Sequence, residues 1–278
     1  WTRKMAVQPV VRKAELLRGG CTEEEANFLN GRSLMALASG ISHGYGCVLF
    51  PEGTSHNNAY MLRFRTGPMR TVLAASALAK ASDRELPVLI PMGLHFRTRE
   101  YFRTDVWVEY GEPIQVESNE VPQNLVDAVS SGTWSEPPAE SVFRLRDKLR
   151  EELVPLSPNA HTWEEYRALL LLGHINGRVN NNQPKTWREE VKQARYFREK
   201  YSTKPTTVDV DNLQPEKISH PLIDKSEKAA EILHKNGLDG RDLNATSTRL
   251  SSPKMTKLPF ATARLGLFIV LLPVFLIS

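Results

Sequence analysis

The sequence predicts an α/β fold: a mostly parallel sheet flanked by helices, with a helical and partly disordered C-terminal tail ending in an apolar membrane segment. Three observations predict it. Strand-like and helix-like patterns alternate from Met5 to Tyr110, which is the order of crossover units on a parallel sheet. The earlier strand candidates are continuous apolar runs, as expected when helices cover both faces of a sheet. Beyond Glu117 the chain becomes polar and helical until an uncharged run at its end.

Taken in order, Met5–Val11 (MAVQPVV) predicts a buried strand. Thr22-Glu23-Glu24-Glu25 has the spacing of a capping box and opens a helix through about Ser39. His43-Gly44-Tyr45-Gly46 is a turn, Cys47–Phe50 a short apolar strand and Ser55–Tyr60 a polar loop. Gly67-Pro68 starts a second helix, since proline suits a first helical turn, and that helix stops near Ser82-Asp83. Leu86–Met92 and Asp105–Tyr110 are further strands, so residues 1–116 form the main domain. Residues 117–202 are a linker and a helical extension, with Glu117–Pro138 as a loop and helices at Glu140–Leu153, Thr162–Ile175 and Trp187–Tyr201. Residues 203–257 are polar and loosely ordered around one short helix.

Residues 258–278 form a candidate membrane helix. Leu265 to Ile277 carries no charge, and counting from Leu258 brings the run to the roughly 20 residues a membrane crossing needs. Lys254 and Lys257 precede it, which places that side in the cytoplasm by the positive-inside rule. The chain opens on Trp1 and stops abruptly at Ser278, so it reads as a fragment of a longer protein. Its 278 residues are 41% hydrophobic and 24% charged, with a net charge of +4. That balance excludes wholesale disorder, and the charge suits anionic substrates, an anionic membrane surface and nucleic acid alike. No zinc-ligand spacing and no interleaving of aromatic and basic residues is present, so nucleic acid is not an expected partner. The two cysteines, Cys21 and Cys47, give no disulfide framework and are expected to be small buried residues in a reducing compartment.

The chemistry is expected just after Cys47–Phe50, because sheets of this class gather substrates at the carboxyl ends of their strands. There the sequence is Phe50-Pro51-Glu52-Gly53-Thr54. Pro51 turns the chain, Gly53 permits close backbone approach to a ligand, and Glu52 is placed to hold a substrate hydroxyl or to orient a cationic phosphate ligand. Arg63, Arg65 and Arg70 surround the start of the Gly67-Pro68 helix. A helix amino terminus favours phosphate, and Arg65 adds a permanent charge able to bond bidentately.

Phe50-Pro51-Glu52-Gly53-Thr54 resembles the third signature block of the glycerol-3-phosphate and lysophosphatidate acyltransferases, the PlsC-like family. Pro9-Val10-Val11-Arg12 resembles the second block, Phe64-Arg65-Thr66-Gly67 the basic step after the third, and Val88-Leu89-Ile90-Pro91-Met92 the fourth. Val108-Glu109-Tyr110-Gly111-Glu112-Pro113-Ile114 resembles the strand and exit that close the domain. The resemblance covers about Met5 to Ile114.

The resemblance implies a glycerolphosphate acyltransferase-like fold and acyl transfer from acyl-CoA or acyl carrier protein to glycerol-3-phosphate or dihydroxyacetone phosphate. Arg12 and Arg65 would bind the phosphate, Glu52 with Gly53 would help seat the glycerol, Pro91 would help shape the acyl site, and Thr54 and Gly67 would be further substrate-binding residues. Membrane lipid is a further partner, the catalytic domain faces the cytoplasm (at the endoplasmic reticulum in a eukaryote), and no cofactor or metal is implied. The family's first block, His-x4-Asp, supplies the general base and its orienting carboxylate. Nothing upstream of Arg12 matches it, so no catalytic residue is assigned and this chain alone is expected to be inactive. His234 and Asp239 have the spacing but lie far past the fourth block. The Ser55-His56-Asn57 continuation resembles the subgroup that acylates glycerol-3-phosphate or dihydroxyacetone phosphate. The alternatives are a 1-acylglycerol-3-phosphate acyltransferase and a non-catalytic lipid-binding relative. A nucleotide-binding protein would need a glycine-rich phosphate loop that this sequence lacks.

Overall fold

The computed structural model describes residues 13–98, 103–202 and 213–244. Helix α1 (Lys13–Arg18) leads through a turn at Gly20 to α2 (Glu23–Ser42). Thr22 caps α2 as its sequence predicts: Thr22 Oγ1 accepts the Glu25 N–H at 3.2 Å, and Glu25 Oε2 accepts the Thr22 N–H at 2.8 Å. Helix α3 (Gly67–Ala81) begins with Pro68 in its first turn and ends at Ser82. Four strands come next, β1 (Val88–Leu89), β2 (Met92–Phe96), β3 (Val106–Tyr110) and β4 (Ile114–Gln115). The remaining described elements are helices: α4 (Gln123–Ser130), α5 (Ala139–Leu153), α6 (Trp163–Val179), α7 (Trp187–Tyr201) and α8 (Pro221–Lys235), with 3-10 turns at Ser118–Glu120 and Gly240–Asn244.

The described residues contain helices and strands, but the mostly parallel sheet is not what their strands build. They form two antiparallel pairs: β1 with β4, and β2 with β3 from Met92 opposite Tyr110 to Phe96 opposite Val106. Two local causes explain the difference. Pro91 has no N–H to give a ladder, and it divides the Leu86–Met92 run into the separate strands β1 and β2. The chain then returns after Phe96 through a short connection, which permits only antiparallel pairing. Cys47–Phe50 joins no ladder among the described residues, where Val48 and Phe50 are exposed. An unbroken apolar run fits the wall of a cavity as well as a buried strand.

Two cores hold the structure. The first surrounds α3, whose Leu73, Ala74 and Ala75 are fully buried against residues such as Ile114, Val129, Leu145 and Leu149. The second joins Leu169 and Leu172 of α6, Ala194 and Phe197 of α7 and Ile223 of α8. The expected loop at Glu117–Pro138 instead contains α4, which buries Leu125, Val126 and Val129. Residues 213–220 are not loosely attached either: Ile218 lies in the second core and its N–H donates to Glu165 Oε2 at 2.9 Å. Cys21 is half-buried and Cys47 exposed, so neither packs as a buried apolar residue. The strand expected at Met5–Val11, Arg12 and the run 258–278 lie outside the described residues. Among the described residues, no helix is long and apolar enough to cross a membrane.

Candidate functional site

The Phe50–Thr54 run folds into a tight turn laced to the segment before α3. The Gly53 N–H donates to Phe50 O at 3.1 Å, and Gly53 takes a φ of 64°, the left-handed region glycine favours. The Arg65 N–H donates to Pro51 O at 2.7 Å, and the Leu62 N–H donates to Glu52 Oε1 at 2.5 Å. That same carboxylate oxygen lies 3.0 Å from His56 Nε2. His56 Nδ1 accepts the Asn58 N–H at 3.1 Å, so Nε2 carries the hydrogen and donates to Glu52. Glu52 therefore serves the protein's own backbone through Oε1. Thr54 Oγ1 makes a local contact to Ser55 O at 3.5 Å.

The three arginines have different fates. Arg70 is paired to Glu136, its Nε donating to Oε2 at 2.7 Å, while Trp134 Nε1 donates to Oε1 of the same carboxylate at 2.9 Å. Arg63 and Arg65 are exposed and form no ion pair with any described residue. Thr66, the N-cap of α3, provides no side-chain cap, so the N–H groups of Gly67 and Met69 keep their capacity for an anion, while Pro68 between them has none. Gly67 has open space where a Cβ would stand.

Beside this turn lies a cavity of about 910 Å³. Pro51, Glu52, Thr54 and His56 form one edge, and Val88, Ile90, Leu94 and Leu153 contribute apolar wall. Pro91 lines it and packs on Gly111, whose N–H donates to Pro91 O at 2.9 Å. The structure thus brings Glu52, Thr54 and Pro91 to one cavity. Gly53 and Arg65 back the turn, where a Cβ on Gly53 would come 3.1 Å from Arg65 Cγ, and Gly67 opens α3. Among the described residues, no three His, Cys, Asp or Glu side chains gather so as to hold a metal ion.

Two features are not evident from the sequence. His95, by sequence a plain strand-end residue, is only 3% exposed, stacks on Trp107 at 4.8 Å and lies 3.1 Å from Glu109 Oε2. Burial lowers its pKa more than the Glu109 charge raises it. Burial favours a neutral Glu109, but two bonds from Arg195, at 2.6 and 3.0 Å, together with His95 hold that carboxyl below its usual range. The second feature is Arg150, buried on α5 with Nη1 donating to Leu62 O at 2.9 Å. It falls eight residues after the buried Val142, the one signal in the sequence that it sits on the packed stripe. Asp239 is occupied by Arg241, whose Nη2 donates to its Oδ2 at 2.6 Å.

The chain is similar to a yeast protein, glycerol-3-phosphate O-acyltransferase 2 of Saccharomyces cerevisiae, with 29% identity over 151 residues. That match takes in 54% of this chain and 19% of the yeast protein. The likeness supports a relationship to the acyltransferases. No family model matches the chain. No solved structure matches it either.

Proposed function

We propose that this chain carries the acceptor-binding part of a glycerolipid acyltransferase. The acyl group moves from acyl-CoA or acyl carrier protein to a hydroxyl of glycerol-3-phosphate or dihydroxyacetone phosphate. One observation carries this reading: within a chain similar to a glycerol-3-phosphate acyltransferase, an exposed Arg65 and an uncapped helix start stand behind a turn that edges a large apolar cavity. Arg65 and the Gly67 and Met69 N–H groups at the start of α3 bind the acceptor phosphate. The cavity wall, including Pro91, receives the acyl chain. Gly53 and Thr54 shape the floor beneath the glycerol, and Arg12 adds a second phosphate contact. The hydroxyl oxygen attacks the thioester carbonyl, the C–S bond breaks, and the hydroxyl proton leaves with a base. In the PlsC-like family that base is the histidine of His-x4-Asp, so the residues assigned here bind and orient. The protein acts at a membrane, with this part facing the cytoplasm.

The test is thiol release from acyl-CoA by the full-length protein, with glycerol-3-phosphate, dihydroxyacetone phosphate and lysophosphatidate compared as acceptors. Arg65→Ala is expected to raise the acceptor KM by about tenfold, as loss of a charge-assisted contact does. An unchanged KM would refute the phosphate assignment. Lysophosphatidate as the preferred acceptor would favour the 1-acylglycerol-3-phosphate enzyme. Lipid binding without thiol release would favour a non-catalytic relative.

A further inference from the structure

Arg150 belongs to α5, outside every signature block. It is only 5% exposed, and its guanidinium carbon sits 5.4 Å from the centre of the Phe64 ring. Its Nη1 donates to the Leu62 carbonyl at 2.9 Å. At the other backbone group of the same residue, the Leu62 N–H donates to Glu52 at 2.5 Å. Leu62 is thus held from both sides by opposite charges that also attract each other across it. Burial lowers the pKa of Arg150, and the Glu52 and Asp147 carboxylates oppose that shift.

Committing a buried guanidinium to one backbone carbonyl is unfavourable taken alone. The arrangement gains meaning from the neighbours of Leu62 in the chain. Arg63 is the next residue, and Phe64, beneath the Arg150 guanidinium, leads directly to Arg65. We propose that Arg150 is a positioning residue for the phosphate acceptor: it fixes Leu62 opposite Glu52 and so sets where Arg63 and Arg65 present their charges. This rests on the acyltransferase reading above. In the same arrangement Glu52 acts as the counter-clamp and need not touch the acceptor.

The experiment compares Arg150→Met, Arg150→Gln and Arg150→Lys in the full-length protein. Thiol release is measured with glycerol-3-phosphate varied and then acyl-CoA varied, and inorganic phosphate binding is measured by calorimetry. Thermal unfolding identifies which variants are folded at the assay temperature. Arg150→Met is expected to raise the acceptor KM and to weaken phosphate binding by about tenfold, the scale of one charged hydrogen bond. The acyl-CoA KM should stay within about twofold, because the change is not at the donor's contacts. Arg150→Lys should recover part of the loss, and Arg150→Gln, which removes the charge and the long guanidinium reach to the carbonyl while keeping a polar side chain, serves if the methionine variant does not fold. An unchanged acceptor KM in a folded Met or Gln variant, or an equal rise for both substrates, overturns the proposal. If the wild type binds phosphate but releases no thiol, and the variants lose that binding, the positioning role stands and the acyltransferase reading falls. If the wild type does neither, both fall.

Discussion

Gly53 ties the candidate site to a single backbone angle. Its φ of 64° lets the turn close, and the side chain of Arg65 fills the space where a Cβ would stand. Gly53→Ala should therefore cost about 1–2 kcal/mol, the penalty of a left-handed alanine, read as a lower midpoint in urea unfolding. The 3.1 Å approach to Arg65 Cγ should also displace that side chain, so the acceptor KM should rise in the same variant. The turn was legible in the sequence because proline and glycine act locally: the residues that bend the chain are the residues that bend. Glu52 was legible as part of that turn, but the bonds its carboxylate makes were not. Which backbone N–H its carboxylate would accept depends on a segment ten residues away. Arg150 was less legible still, because helix periodicity tells which stripe is buried and not which loop lies against it.

The junction between the β2–β3 hairpin and α7 sets the back of the cavity region. Arg97 reaches Glu190 with two bonds of 2.5 and 2.8 Å, Arg195 reaches Glu109, and Trp187 Nε1 donates to His95 O at 2.9 Å. Arg97 also stacks on Trp187 at 4.5 Å. Removing one member of a buried pair leaves the other charge desolvated. Glu190→Ala should thus destabilise the protein by about 3 kcal/mol in chemical denaturation. Replacing both members, Arg97→Met with Glu190→Leu, should recover part of that loss, because buried His174, whose Nε2 lies 3.1 Å from Glu190 Oε2, still loses its partner. A single and a double variant of equal stability would show that the pair does not matter.

His95 gives the same junction a pH dependence. Its pKa is lowered in the folded state because burial opposes the imidazolium. The unfolded chain then binds more protons, so stability present above the ordinary histidine pKa, about 6.5, falls as pH drops through and below it. His95→Gln should flatten the stability profile below that pH, measured by urea unfolding across the range. This element was the hardest to read from sequence. Period-2 logic points Leu94, Phe96, Val106 and Val108 inward. The structure turns His95, Trp107 and Glu109 toward α7 and Gly93 toward Leu156, and leaves the apolar set outward. Arg195 of α7 meets Glu109 on the inner face, a contact that the alternation does not signal.

At the scale of the whole molecule, the C-terminal helices act as a support for the site, where the sequence suggested an extension hung on a linker. Ala59, from the loop after the Phe50–Thr54 turn, is buried in the second core with Tyr166 and Leu169. Its carbonyl accepts the Ala160 N–H at 3.1 Å, and Asn57 O accepts Trp163 Nε1 at 2.7 Å. Strain or loss in the second core should therefore reach the turn. Leu169, 1% exposed, should cost about 3 kcal/mol on truncation to alanine, as buried leucines do. In Leu169→Ala the acceptor KM should rise while the protein is still folded. The hairpin's outer face makes the opposite prediction. Leu94 and Val108 are 41% and 40% exposed and face away from α7. Threonine at either should change stability by about 0.5 kcal/mol or less, as substitutions away from packed features do. The comparison decides how complete the packing is in solution. A Leu94→Thr variant that loses as much as Leu169→Ala would mean that another surface covers that face of the hairpin. A small loss would mean that the apolar wall of the cavity continues into open solvent.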